Sequence, residues 1–199
     1  MTNEGWKGFS RSKPGFLLVD VMGFAALVQT CFGKVSQEYK RAQIRKILNG
    51  YEWVEHYRDK DTLRRVLAEC ELDYEHERST AVFLAQMGYD VVFAPKGMFR
   101  REEKKFDVFL IREGNIVKAD LKCVASKYHE TIARRIREGS EQASRVVLNI
   151  VSNVGRKDLL NGLRIGVERN KLIKEILLIY KGKLYHLPKA TILHKKFSL

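Results

Sequence analysis

Two short runs constrain this chain more than any other feature. FDVFLI, from Phe106 to Ile111, is apolar on both faces except at Asp107, and RVVLNIV, from Arg145 to Val151, is a β-branched run suited to a sheet interior. A strand with two apolar faces must lie inside a sheet that is covered on both sides. The surrounding sequence supplies neighbours and covers. DYEHERSTAVFLAQMG reads as a helix closed by Gly88. YDVVFAP reads as a strand stopped by Pro95, and NIVKADLKCVA as a strand joined to FDVFLI through Arg112-Glu113-Gly114. YHETIARRIREGSEQAS and RKDLLNGLRIGVERN read as helices on either side of RVVLNIV, and EILLIY and KLYHLP close the chain as strands around Gly182. This order predicts an α/β fold: a mixed central sheet flanked by helices.

The pattern occupies residues 71–199. Residues 1–70 are expected to form a mostly helical N-terminal region of unassigned role. It comprises a polar arm over 1–15, an apolar run from Phe16 to Phe32, and polar helices over 34–72. The first of these helices stops at Asn49-Gly50 and a second begins near Asp61. The apolar run holds Asp20, Gly23 and Gln29, so no stable membrane span is expected from it. The N-terminus lacks the charged-then-apolar order of a secretory signal. Cys31, Cys70 and Cys123 form no CxxC, which predicts neither a disulfide framework nor a zinc site and fits a reducing compartment.

Charge narrows the partner. The chain has 37 Lys+Arg against 24 Asp+Glu, a net charge of +13. Such a surface attracts polyanions, nucleic acid ahead of anionic membrane. No GxGxxG, Walker-type or Gly-x-Ser-x-Gly motif is present, which argues against nucleotide-cofactor and serine-hydrolase readings.

The chemistry concentrates in VKADLKC. Strand alternation puts Lys118, Asp120 and Lys122 on one side, and Val117, Ala119, Leu121 and Cys123 on the other. An exposed strand face with a local ion pair would explain that much. Asp107 points further, because a hairpin across residues 112–114 brings it towards Asp120. Two unpaired carboxylates that close repel, and one must hold a proton. A divalent cation relieves the conflict, and Mg²⁺ or Mn²⁺ takes carboxylates together with water and phosphate oxygens. Lys122 would then stand beside the metal, able to orient a water or offset phosphate charge. On the first helix Tyr74, Glu77, Ala81, Leu84 and Gly88 share a side, which sets Glu77 in an apolar stripe facing the sheet. A buried acid needs a partner, either a core Arg or a metal.

A helical Glu, an Asp at a strand start and Asp120-Leu121-Lys122 on the next strand resemble the PD-(D/E)xK nuclease superfamily. HERSTAVFLAQMGYDV is also similar to that superfamily's first helix and following strand. Phe106 stands where the family carries Pro, a position it treats loosely. The resemblance spans roughly residues 70–187. It implies that Glu77, Asp107, Asp120 and the Leu121 carbonyl hold Mg²⁺ or Mn²⁺ while Lys122 orients the attacking water. Within the superfamily, SEQASRVVLNIV and IKEILLIYKGK look like segments of the tRNA-cleaving C-terminal toxin domains of contact-dependent growth inhibition proteins. That likeness implies a role for Gln142 in positioning substrate or water, and RNA, such as tRNA, ahead of DNA. It also implies a cognate immunity protein over the basic cleft, and action in the cytoplasm of a protein delivered from another cell or encoded on a mobile element.

Arg134, Arg135, Arg137 and Arg145 are candidates to grip phosphates, Arg135 and Gln142 lying two turns apart on one helix side. The loop KGMFRREEKK adds Lys96, Arg100, Arg101, Lys104 and Lys105, with Phe99 and Phe106 placed to stack a base. Glu102 and Glu103 dilute this run, and a solvated loop is the plainer alternative. Two other readings stay open. One is a metal-free general acid–base site using His76 or His129. The other is a non-catalytic nucleic-acid-binding or assembly module on the same fold, with residues 1–72 docking a partner.

Overall fold

The computed structural model describes residues 53–69, 72, 74–99, 105–113 and 115–199. The arm, the apolar run and the helix expected before Gly50 lie outside the described residues, as do Cys31 and Cys70.

The described chain builds one 8-stranded mixed sheet whose spatial order is the chain order, β1 to β8. The strands are β1 (Val54–Arg58), β2 (Arg65–Ala68), β3 (Asp90–Phe93), β4 (Val108–Arg112), β5 (Asn115–Val124), β6 (Arg145–Ile150), β7 (Glu175–Tyr180) and β8 (Lys183–Pro188). The helices are α1 (Glu75–Gln86), α2 (His129–Gln142), α3 (Arg156–Glu168) and α4 (Lys189–Leu193). Strands β2, β3, β5, β6 and β7 run one way; β1, β4 and β8 run the other. The two doubly apolar runs are interior strands: β4 lies between β3 and β5, and β6 between β5 and β7.

Strand alternation splits the core in two. On one face Val91, Val108, Leu110, Ala119, Leu121 and Val147 pack under Ala81, Leu84 and Ala85 of α1. On the other, Val146, Leu148, Ile176 and Leu178 pack under Ile132 and Ile136 of α2 and Leu159 and Leu163 of α3. A smaller cluster, including Leu67, Val92, Phe106 and Phe109, fills the face away from α1 beneath β2 to β4. Gly88, with φ of +90°, turns the chain out of α1 and into β3, as the sequence predicts for a helix-closing glycine.

One expectation is corrected here. The helix expected to begin near Asp61 is a turn between two strands, and these strands, β1 and β2, precede residue 70 yet belong to the sheet. The Asp59 carboxylate accepts from the amides of Asp61 (3.1 Å) and Thr62 (2.7 Å) and from the Thr62 hydroxyl (2.8 Å). A helix N-cap uses the same side-chain chemistry, so the residues alone could not separate the two. Leu63 then takes φ of +57°, which reverses the chain instead of continuing a helix. Asp90, fully buried, locks β2 to β3 by accepting from Arg64 Nη1 (2.8 Å) and the Arg65 amide (3.0 Å).

Helices α2 and α3 approach closely because two glycines face α2. A Cβ at Gly162 would stand 2.7 Å from Ile132 Cβ and 2.9 Å from the His129 carbonyl, and one at Gly166 would stand 2.8 Å from Ile136 Cδ1. Ala normally stabilises a helix interior by about 1 kcal/mol over Gly. Here overpacking against a backbone atom opposes that gain with roughly 1–3 kcal/mol. Gly162→Ala is therefore expected to lower the urea midpoint, and an unchanged or raised midpoint would show that α3 can shift without loss.

Candidate functional site

Strand β4 is shorter than its partner. Pairing of β4 with β5 runs from Arg112↔Asn115 to Val108↔Ala119, after which β5 continues from Asp120 to Val124 with only β6 beside it. One edge of β5 is thus open over the DLK segment. Asp107 stands just past the last pair, across from Asp120, as the hairpin predicts. Its carboxylate accepts from the Leu121 amide at 2.7 Å, in place of the missing ladder bond. A strand residue sends its N–H and C=O to the same edge. The Leu121 carbonyl therefore also faces the gap, where Lys122 Nζ lies 3.5 Å away.

Asp120 has 0% of its surface exposed. Lys122 Nζ sits 2.5 Å from Asp120 Oδ2, a close ion pair along one strand. The Gln142 amide nitrogen, in the orientation that satisfies its neighbours, donates to Asp120 Oδ1 at 2.9 Å and to the Lys105 carbonyl at 2.5 Å. Helix α2 can bring Gln142 this close because of Gly139, where a Cβ would lie 2.8 Å from Asp120 Oδ2 and 2.9 Å from a Val146 methyl. Burial, together with the charge of Asp107, pushes the Asp120 carboxyl up to about 8 against the pull of Lys122. The geometry makes both acids share one deficit of positive charge.

Glu77 reaches this gap from the other face. It is half-buried and lines a cleft of about 190 Å³ with His76, Thr80, Leu121, Lys122 and Arg135. The first turns of α1 are tied to the sheet by a relay: Asn149 Nδ2 donates to Thr80 Oγ1 (2.8 Å), and Thr80 Oγ1 donates to the His76 carbonyl (2.7 Å). Cys123, a free thiol that also borders the cleft, is pushed up by burial. Arg135 borders the cleft while sharing Glu138 with Arg134, at 2.9 and 2.8 Å.

The arrangement fits a cation. The Lys122 ammonium already stands between Asp120 Oδ2 and the Leu121 carbonyl, so oxygens of the DLK segment converge on positive charge. Among the described residues no group of three or more His, Cys, Asp or Glu side chains is close enough to hold a metal ion. Asp107, Asp120 and the Leu121 carbonyl meet at the gap, and Glu77 stands across the cleft from them.

The remaining predicted residues divide. Arg134 and Arg137 turn away from the cleft and line a groove between α2 and α3 with Arg169. Arg145 opens β6, next to the Val146 that pairs with Asp120, but is ion-paired with Glu175 of β7 at 3.1 Å. Lys105 is exposed and contributes its carbonyl to Gln142. Arg100, Arg101 and Lys104 lie outside the described residues. Phe106 is 5% exposed and packs edge-on against Phe99 and Phe109, so these rings belong to the core and are not free to stack a base. Tyr74, read as part of the apolar stripe, is exposed. His129 contacts Glu130 (3.2 Å) and Asp158 (3.7 Å) and lines the α2–α3 groove, away from Lys122. Sequence reasoning missed Gly139, Thr80 and Asn149. Only Gly139 carried a signal, as a glycine inside a helix.

A scan against protein-family models matched none, and searches of curated proteins and of solved structures found no match. Among the described residues no helix is long and apolar enough to cross a membrane.

Two measurements test this geometry. Gly139→Ala should displace Asp120 or α2 and reduce any activity of the site at least tenfold, with a loss of about 1–3 kcal/mol in stability. Full activity in that variant would mean that the approach of α2 is not needed. The second concerns pH. The Asp120 value in the folded protein, about 8, lies above its ordinary 3.8. Its contribution to stability is then complete at low pH and is lost as pH rises through about 8. In EDTA the melting temperature should fall across that range. Asp120→Asn should flatten the fall and raise the melting temperature above pH 8 by a few degrees. An identical slope in both proteins would show that Asp120 is ionised throughout.

Proposed function

We propose that this chain is a metal-dependent phosphodiesterase that cuts nucleic acid, RNA ahead of DNA. The observation that carries the reading is the convergence at the β4 gap. Asp107 and Asp120 face each other there, the Leu121 carbonyl opens to the same edge, and the Lys122 ammonium occupies the space between oxygens. Charge supports it, since a net +13 favours polyanions. The likeness to the PD-(D/E)xK superfamily, with its tRNA-cleaving toxin domains, rests on the same residues and supplies the preference for RNA.

Asp107, Asp120 and the Leu121 carbonyl would hold Mg²⁺ or Mn²⁺, with Glu77 approaching from α1. When bound, the ion polarises the phosphate and lowers the pKa of its water. Gln142 keeps one Asp120 oxygen fixed, so the carboxylate presents the other to the gap. Asp107 holds the Leu121 amide, which keeps the adjacent carbonyl turned outwards. Lys122, once Asp120 no longer needs its charge, offers its ammonium to a phosphate oxygen or to the attacking water. Arg135, at the cleft edge, is placed to take a phosphate beside the scissile one.

The absence of a three-residue metal group among the described residues favours a second reading, a module on the same scaffold that binds nucleic acid without cutting it. One experiment separates the two. Purified protein is incubated with total tRNA or plasmid DNA, with Mg²⁺ or Mn²⁺ or with EDTA, alongside Asp120→Ala. The expected result is metal-dependent cleavage of RNA that falls at least a hundredfold in the variant. Cleavage that survives both EDTA and the substitution would move the chemistry to a metal-free site. Retained binding without cleavage would establish the binding module.

A further inference from the structure

We infer that Tyr74 and Tyr128 are base-stacking posts on the two lips of the cleft, and that the strand accepted there is unpaired around the phosphate to be cut. This rests on the proposed function and adds the form of the substrate. Tyr74 is 58% exposed and Tyr128 is 72% exposed, so both ring faces are open to a ligand. Each is the residue that caps a helix, Tyr74 for α1 and Tyr128 for α2.

Topology puts both rings at the same end of the sheet. Helix α1 links the parallel strands β2 and β3, and α2 links the parallel strands β5 and β6, so both helices run back against those strands. Their first residues therefore lie where β5 and β6 finish, beyond the end of β4. They lie on opposite faces, since α1 packs in the Ala119–Leu121 cluster and α2 in the Val146–Leu148 cluster. Tyr128, Arg135 and Gln142 recur at two-turn spacing, which lays ring, guanidinium and amide along one side of α2, roughly 10 Å apart at each step. On the other lip the Tyr74 ring lies 5.9 Å from the ring of His76, which lines the cleft beside Glu77.

A side-chain ring can stack only on a base whose face is free, and in a duplex the neighbouring bases cover both faces. Cations placed between two such posts suit a strand whose phosphates run through the cleft while its bases splay outwards. Phe106 is in the core and Phe99 packs edge-on against it.

The test separates binding from cutting. Asp120→Asn protein in EDTA is titrated with a fluorescently labelled single-stranded RNA, the same strand with abasic positions, and a duplex of equal length, read by anisotropy. Tyr74→Ala and Tyr128→Ala should each weaken binding of the base-bearing strand roughly tenfold and leave the abasic strand unaffected. Phe at either position should restore affinity. Duplex RNA should bind the parent more weakly than the single strand. Equal affinities of the alanine variants and the parent for the base-bearing strand, or duplex bound as tightly as single strand, would overturn the inference. If the tyrosines matter for binding while the protein with Asp120 intact cuts nothing, stacking stands and the nuclease reading falls. If cutting persists and the tyrosines do not affect affinity, the reverse holds.

Discussion

Asp120 has no exposed surface, and a carboxylate stripped of water loses several kcal/mol of hydration unless neighbours replace it. Much of the surrounding architecture can be understood as that replacement. Lys122 brings a charge from the same strand, Gln142 brings an amide from α2, and Gly139 gives up a side chain so that α2 can come near. Asp107 works in the opposite sense, since its charge raises the cost of ionising Asp120. A fold that served only its own stability would place a hydrophobic residue at this strand position. The pair of acids therefore marks a place where stability has been exchanged for a concentrated demand for positive charge.

The demand is reachable because β4 stops early. Alternation along β5 sends Asp120 and Lys122 to the α2 side, while Glu77 comes from α1 on the other side. In an unbroken sheet those groups would be separated by a full layer of backbone. Ending β4 at Val108 opens a window through the layer, and Asp107 trims it by closing the first amide that the missing strand would have paired. The relay from Asn149 through Thr80 to His76 fixes the α1 side of the window, so both lips are anchored to the strands that frame it.

Much of this was legible in the residues, and the misses have physical causes. Doubly apolar runs identified interior strands because a two-sided strand has few other places to go. Hairpin pairing across Arg112 to Gly114 put Asp107 opposite Asp120 because antiparallel register is set by the turn. The turn at Asp59 to Thr62 was misread as a helix start because a carboxylate capping two amides serves either. Arg145, close to Gln142 in sequence, opens the next strand beside Val146, the partner of Asp120, yet its guanidinium is taken by Glu175 at the start of β7, which its sequence neighbours do not reveal. The aromatic rings of Phe99 and Phe106 looked available because loop composition says nothing about which side chains fold back into a core. Gly139 announced a close approach but not the residue approaching, which only the packing of α2 on β5 reveals.

The order of the strands has a kinetic side. Every sheet neighbour is also the next strand in the chain, so each new strand docks on the edge left by the one before it. No strand has to be inserted between two others, but the closures differ in length: the antiparallel steps close shorter connections, while β2–β3, β5–β6 and β6–β7 each cross over through a helix. Closing an antiparallel hairpin costs less chain entropy than closing a parallel crossover, which must also order a helix against the sheet. The strand carrying Asp120 joins both kinds of connection: the hairpin that brings Asp107 is local in sequence, while the crossover that brings Gln142 and Gly139 is longer.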